Sequence, residues 1–202
     1  MDLFSGESLI NLIKTVGYLG IFGIVFAESG LFFGFFLPGD SLLFTAGFLA
    51  SQGFLNIYLL NIIIFIGAVL GDNVGYAFGK KVGPKIFNKE DSLFFHKNNL
   101  VKAADFYKKY GGITIVLARF MPFVRTFASI VAGVAEMDYR TFFLYNLLGG
   151  FLWTITLTWA GYFLGSIIPD VDKYLLPIIG VIVIISVTPP IYHIIKAKLK
   201  KP

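Results

Sequence analysis

Apolar residues fall in seven runs along this chain, at about 16–37, 41–50, 57–79, 111–121, 123–135, 141–165 and 174–195. Three of them, 57–79, 141–165 and 174–195, reach the roughly 20 residues a helix needs to cross a bilayer. The pieces on either side of Pro38 and of Pro122 are mostly shorter. Short apolar halves joined at a proline predict a re-entrant hairpin or a broken helix, because non-helical backbone is tolerated at membrane depth only where protein or a cavity surrounds it. Residues 8–26, SLINLIKTVGYLGIFGIVF, have no counterpart elsewhere in the chain and read as a separate span or as an interfacial lead-in. Between residues 91 and 109, Leu93, Phe94, Leu100, Val101, Ala104 and Tyr107 recur at helical spacing with lysines between them. That pattern suits an amphipathic helix, lying on a membrane surface or packed on the bundle.

The lysines assign sides to these runs. Eight fall within 80–110 and four more within Lys196 to Lys201, which together are 12 of the 17 basic residues. Basic loops stay cytoplasmic, so both stretches are expected inside and the C-terminus with them. The acidic turn at 167–174 then lies outside, and the segment 111–135 leaves the cytoplasm and returns to it. The span 57–79 ends inside, which makes the preceding hairpin open outward. Both halves therefore read hairpin, proline, hairpin, span. From Gly47 to GYAFG (75–79), and from Gly133 to GYFLG (161–165), the spacing is the same 28 residues. The expected fold is an all-α polytopic membrane protein built as an inverted repeat, with two facing re-entrant hairpins beside transmembrane helices. It forms a single domain over 1–202: one repeat at about 16–79, a cytoplasmic amphipathic linker at 80–110, a second repeat at about 111–165, and a C-terminal span at 174–195.

Five ionisable residues interrupt the apolar runs: Glu28, Asp40, Asp72, Arg119 and Arg125. An arginine at mid-bilayer costs about 2.5 to 3.5 kcal/mol on insertion scales, so two of them require compensation. Asp40 follows the tip at Pro38 and Gly39, while Arg119 and Arg125 flank the tip at Pro122. Tips entering from opposite sides would meet near the membrane centre and set three acids against two bases. Asp72 sits toward the cytoplasmic end of its span, where water has partial access. Packing alone calls for small residues and hydroxyls, and burying an ion pair is rarely a net gain. Guanidinium forks suit oxyanions, phosphate above all. Arg119 and Arg125 are thus candidate phosphate ligands. Glu28, Asp40 and Asp72 are candidate proton-coupling groups that release the arginines when protonated.

Composition narrows the alternatives. Hydrophobic residues make up 56% of the chain and charged ones 14%, against about 25% charged in soluble domains. The absence of cysteine excludes disulfides, thiolate metal sites and cysteine nucleophiles. His96 and His193 lie far in sequence from the buried arginines, and neither forms a helical pair with acidic ligands. No metal and no cofactor are expected, and a lipid phosphatase lacks its usual histidine. The net charge of +5 sets topology and does not point to nucleic acid.

The segments FAESGLFFGFFLPGDSLLFTAGFLA, GDNVGYAFGKKVG and FYKKYGGITIVLARFMPFVRTFASIVAGVAEMDYRTFF together resemble the DedA family, within the SNARE-associated Golgi protein superfamily. The likeness covers roughly residues 16–165. It implies a bacterial inner-membrane protein active in proton-motive-force-dependent membrane homeostasis, of a type implicated in moving undecaprenyl phosphate or related phospholipids between leaflets. The family's essential acids fall on Glu28 and Asp40, its essential arginines on Arg119 and Arg125, and the acid of its GD..GY..G motif on Asp72. Phe123 stands where relatives often have glycine before Val-Arg. The expected partners are a lipid substrate, protons and the membrane, and a homodimer is compatible with the sequence. The expected function is non-enzymatic: translocation of a phosphate-bearing lipid, with a phospholipid flippase or a proton-coupled exchanger of cations or small solutes as alternatives.

Overall fold

The structure is a computed structural model that describes residues 6–31, 39–86, 105, 107 and 109–167. Pro38, the aromatic stretch before it, most of the amphipathic segment 91–109 and the C-terminal span 174–195 lie outside the described residues. Among the described residues the architecture is carried by α1 (Gly6–Gly30), α2 (Gly39–Ser51), α3 (Ile57–Ile86), α4 (Ile113–Arg119), α5 (Pro122–Val134) and α6 (Tyr139–Ile167). Among the described residues there is no strand. The ambiguous stretch 8–26 lies in α1, one continuous helix that runs on to the residues beside Glu28.

The two long helices begin on side-chain caps. Asn56 Oδ1 accepts from the backbone N–H groups of Tyr58 and Leu59 at 3.0 and 3.1 Å, ahead of α3. Asp138 Oδ2 accepts from the backbone N–H and the hydroxyl of Thr141 at 2.9 and 3.0 Å, ahead of α6. Both satisfy donors that a helix start leaves without intrahelical partners. The same bonds hold the Asp138 carboxyl below the usual carboxylate range. Its cap is therefore present above the ordinary pKa of an aspartate and is lost only as pH falls through the depressed value.

Helix α2 packs chiefly on α6, and α5 chiefly on α3, so each half of the chain covers the long helix of the other. Glycine sets both crossings. A Cβ on Gly161 would overlap the carbonyl of Phe44, and one on Gly79 would overlap the carbonyl of Ile130. In the same way a Cβ on Gly47 would strike the carbonyl of Thr158, and one on Gly133 that of Tyr76. Such close backbone approach is the use of small residues four apart in membrane helices. The contacts correct one detail of the spacing argument. Aligning GYAFG with GYFLG start to start pairs Gly75 with Gly161, whereas Gly79 is the residue that makes the equivalent contact, one helical turn later. Gly161→Val should therefore lower the thermal midpoint of the purified protein, at a cost of about 1–3 kcal/mol. Gly20→Ala, at a site where a Cβ meets nothing within 4 Å, should leave it unchanged. Equal midpoints for both variants would refute the close-packed crossing.

The surface is apolar and the interior carries charge. Ile62, Ile66, Leu70, Val74 and Phe78 form an exposed stripe at four-residue spacing along α3, and Leu144, Leu148, Phe151, Phe163 and Leu164 are exposed on α6. Glu28, Asp72, Arg119 and Arg125 are buried. This inverts the usual distribution of a protein in water. Ile57–Val82 and Tyr139–Ile167 are each long and apolar enough to cross a bilayer.

Candidate functional site

All five interrupting charges converge where the shorter helices start or stop. Glu28 is two residues from the end of α1, and Asp40 is the second residue of α2. Arg119 closes α4, and Arg125 lies in the first turn of α5. A carboxylate at a helix start and a cation at a helix end each complement the local backbone dipole. Phe120 and Met121 separate α4 from α5, with Pro122 as the first residue of α5, where a missing N–H costs nothing. Gly39 opens α2 directly against the Glu28 carboxylate, which a side chain at that position would displace.

Asp72 is the sixteenth of the 30 residues of α3, and Trp153 is the fifteenth of the 29 in α6. At 1.5 Å per residue both stand about 21–23 Å along helices that exceed 40 Å in length, so the cluster occupies mid-helix depth. The sequence places Asp72 near a hydrated helix end. Instead the helix continues past Gly79 to Ile86, and Asp72 is buried at its middle.

The charges resolve into two groups. Arg125 donates from Nη2 to Glu28 Oε1 and from Nη1 to Asp40 Oδ1 at 2.6 Å. Arg119 donates from Nη2 to Asp72 Oδ2, to Asn146 Oδ1 at 2.5 Å and to the carbonyl of Ala68 at 3.4 Å. Asn146 in turn donates from Nδ2 to the carbonyl of Val69 at 3.2 Å. Thus Arg125 meets Glu28 and Asp40, while Arg119 meets Asp72. The Trp153 ring joins the groups, with its centroid 4.6 Å from Arg125 Cζ and 5.8 Å from Arg119 Cζ. A desolvated guanidinium over an aromatic face gains about 0.5–2 kcal/mol. Trp153 Nε1 also donates to Asp40 Oδ1 at 2.8 Å.

Two features depart from a closed structural ion-pair network. The Asp40 side chain is 36% exposed, whereas those of Glu28, Asp72, Arg119 and Arg125 are 2–4% exposed. And among the described residues Nε and Nη1 of Arg119 and Nε of Arg125 are buried without a hydrogen-bond acceptor, and Glu28 Oε2 and Asp72 Oδ1 without a donor, a costly state for charged groups.

Asn146 and Trp153 escape a reading of the sequence that looks for buried charge. Their signal is the stretch NLLGGFLW (146–153), with a polar and an aromatic residue seven apart on one helical face around two glycines. A Cβ on Gly149 would lie 3.3 Å from Arg119 Cδ, and one on Gly150 3.6 Å from Arg119 Cζ. Gly149 gives the Arg119 side chain room, whereas a Cβ on Gly150 would meet the guanidinium carbon at ordinary contact distance.

An apolar exterior around a charged centre at mid-helix depth defines a helical integral membrane protein. Residues 37–163 match the VTT domain. Protein DedA of Escherichia coli K12 is 46% identical over 195 residues, covering 94% of this chain and 89% of that protein. An uncharacterized membrane protein of Mycobacterium leprae is 44% identical over 166 residues, 82% of this chain and 74% of its own. The inner membrane protein YqjA of E. coli K12 is 31% identical over 167 residues, 82% of this chain and 73% of its own. This chain belongs to the DedA family of VTT-domain membrane proteins. No solved structure matches it.

Proposed function

We propose that this protein moves a phosphate-bearing lipid between the leaflets of a bacterial inner membrane, with undecaprenyl phosphate as the substrate and protons as the coupling ion. The reading rests on one observation: buried guanidiniums retain unused donors beside a carboxylate that is itself partly exposed. An oxyanion displacing Asp40 would meet donors already positioned for it. Its polyprenyl tail would remain in the bilayer against the apolar flanks of α3 and α6. Three carboxylates and two guanidiniums leave one negative charge when all are ionised. Taking up a proton neutralises that excess and weakens the hold of the acids on Arg125.

In this reading the matched glycine crossings are halves of an inverted repeat. The break at 120–121 is the tip of one re-entrant hairpin, which faces the hairpin of the other half across the membrane, an arrangement that places substrate sites at mid-depth. The C-terminus lies in the cytoplasm, and net transfer runs from the outer to the cytoplasmic leaflet for reuse of the carrier. The protein performs no covalent chemistry.

Purified protein in liposomes carrying undecaprenyl phosphate in the outer leaflet should accelerate its appearance in the inner leaflet, and should do so faster with the lumen alkaline than without a pH gradient. Transfer that ignores the gradient would remove the proton coupling. No transfer of this lipid would remove the substrate assignment. The excess of carboxylates supports a second reading, proton-linked cation exchange. Under it, sodium or potassium would compete with protons in the same vesicles and lipid phosphate would not.

A further inference from the structure

We infer that Trp153 is a third ligand of the transported oxyanion, exchanging its hydrogen bond from Asp40 to the phosphate group when substrate binds. The inference rests on the lipid-phosphate reading above and adds a residue and a selectivity to it. Asp40 Oδ1 is the shared acceptor of two donors, Arg125 Nη1 at 2.6 Å and Trp153 Nε1 at 2.8 Å. Asp40 is also the member of the charge cluster with substantial side-chain exposure. It is therefore the group that an incoming anion reaches first and can turn aside.

Once Asp40 turns away, Arg125 and Trp153 point their hydrogens at one position, and buried donors of Arg119 lie under the same indole ring. An indole N–H only donates, and so do guanidiniums. The pocket left by Asp40 thus presents hydrogen-bond donors from two side chains, Arg125 and Trp153, with the Arg119 guanidinium against the same indole ring, a constellation that accepts an oxyanion. The ring supplies the second part of the selectivity. It covers the guanidiniums with an aromatic face that offers no competing hydrogen-bond acceptor, and at 1% exposure it shields them from water. Glu28, which pairs with Arg125 and is buried, stays in place as the fixed counter-ion while Asp40 is the movable one.

The chain contains two tryptophans. Trp159 lies six residues further along α6, packed with Tyr58, Tyr162 and Phe163. In a Trp159→Phe protein Trp153 is the sole indole fluorophore, so its emission reports on the hydrogen bond directly. Undecaprenyl phosphate added to this protein in nanodiscs should shift that emission along the same isotherm as lipid binding measured separately. A parallel titration with inorganic phosphate separates headgroup recognition from tail recognition. A matching shift means the phosphate group suffices, and a shift with the lipid alone means the tail is needed to deliver it, and both support the assignment.

Trp153→Phe keeps a ring over the guanidiniums but removes the N–H. It should weaken lipid-phosphate binding roughly tenfold to a hundredfold, the loss expected for one hydrogen bond to a charged group. An unchanged emission spectrum with lipid bound, or equal affinity in a folded Trp153→Phe protein, would overturn the role of Trp153 and leave the transport reading standing. Failure of the unsubstituted protein to bind any lipid phosphate would remove both. The fluorescence arm retains Trp153, so it decides the question even if Trp153→Phe does not fold.

Discussion

Arg125→Ala is expected to abolish lipid-phosphate binding and to destabilise the protein by about 3–5 kcal/mol, the usual loss when one partner of a buried ion pair is removed. Both effects follow from the same geometry. Glu28 has a side-chain exposure of 3% and pairs with Arg125, so the variant leaves a carboxylate buried without its cation. Asp40 loses one of its two donors but keeps Trp153 and is 36% exposed. Most of the penalty therefore falls on Glu28. Adding Glu28→Gln to Arg125→Ala should recover much of the thermal midpoint in detergent, because a neutral amide costs less to bury. Binding should remain absent in the double variant. Undiminished binding by a folded Arg125→Ala protein would exclude the guanidinium as the phosphate ligand.

The second large effect concerns the other pair. Asp72→Leu alone should cost a similar 3–5 kcal/mol, since Arg119 would keep only the neutral oxygens of Asn146 and Ala68. Asp72→Leu combined with Arg119→Met should restore most of that stability, because well-packed apolar residues often replace a buried pair at little net cost. Lipid-phosphate transfer should stay lost in the restored protein. This separates the two roles that a buried pair can play. Thermal unfolding and vesicle transfer, measured on the same preparations, decide between them. A stable double variant that still transfers lipid would make Arg119 and Asp72 a packing device and confine the site to Arg125.

Much of this arrangement is legible in the residue pattern. Proline at 122 and the apolar runs after it mark where α5 begins, and the runs at 57–79 and 141–165 locate α3 and α6. Charges stranded in apolar sequence are conspicuous because nothing but a tertiary partner can hold them there. What the pattern does not carry is partner choice. Arg119 and Arg125 are six residues apart and chemically alike, and which acid each meets depends on helices that pack across the two halves. The depth of Asp72 was hidden for a different reason. KKVGPKI (80–86) contains three lysines, two of them in its first two positions, a glycine and a proline, and reads as a helix ending before it. The helix goes on to Ile86, which moves its midpoint to Asp72. Asn146 and Trp153 look like ordinary residues of an apolar span until the guanidiniums beside them are placed.

The reciprocal glycine seams also bear on how such a protein is made. The surface of α3 around Gly75 and Gly79 is closed by α5, which the ribosome delivers some fifty residues later, and α2 waits longer still for α6. Neither half is finished when it emerges. Until α5 and α6 have been made, the first half has a bare backbone groove and unpaired acids, so its final packing follows the synthesis of the second half.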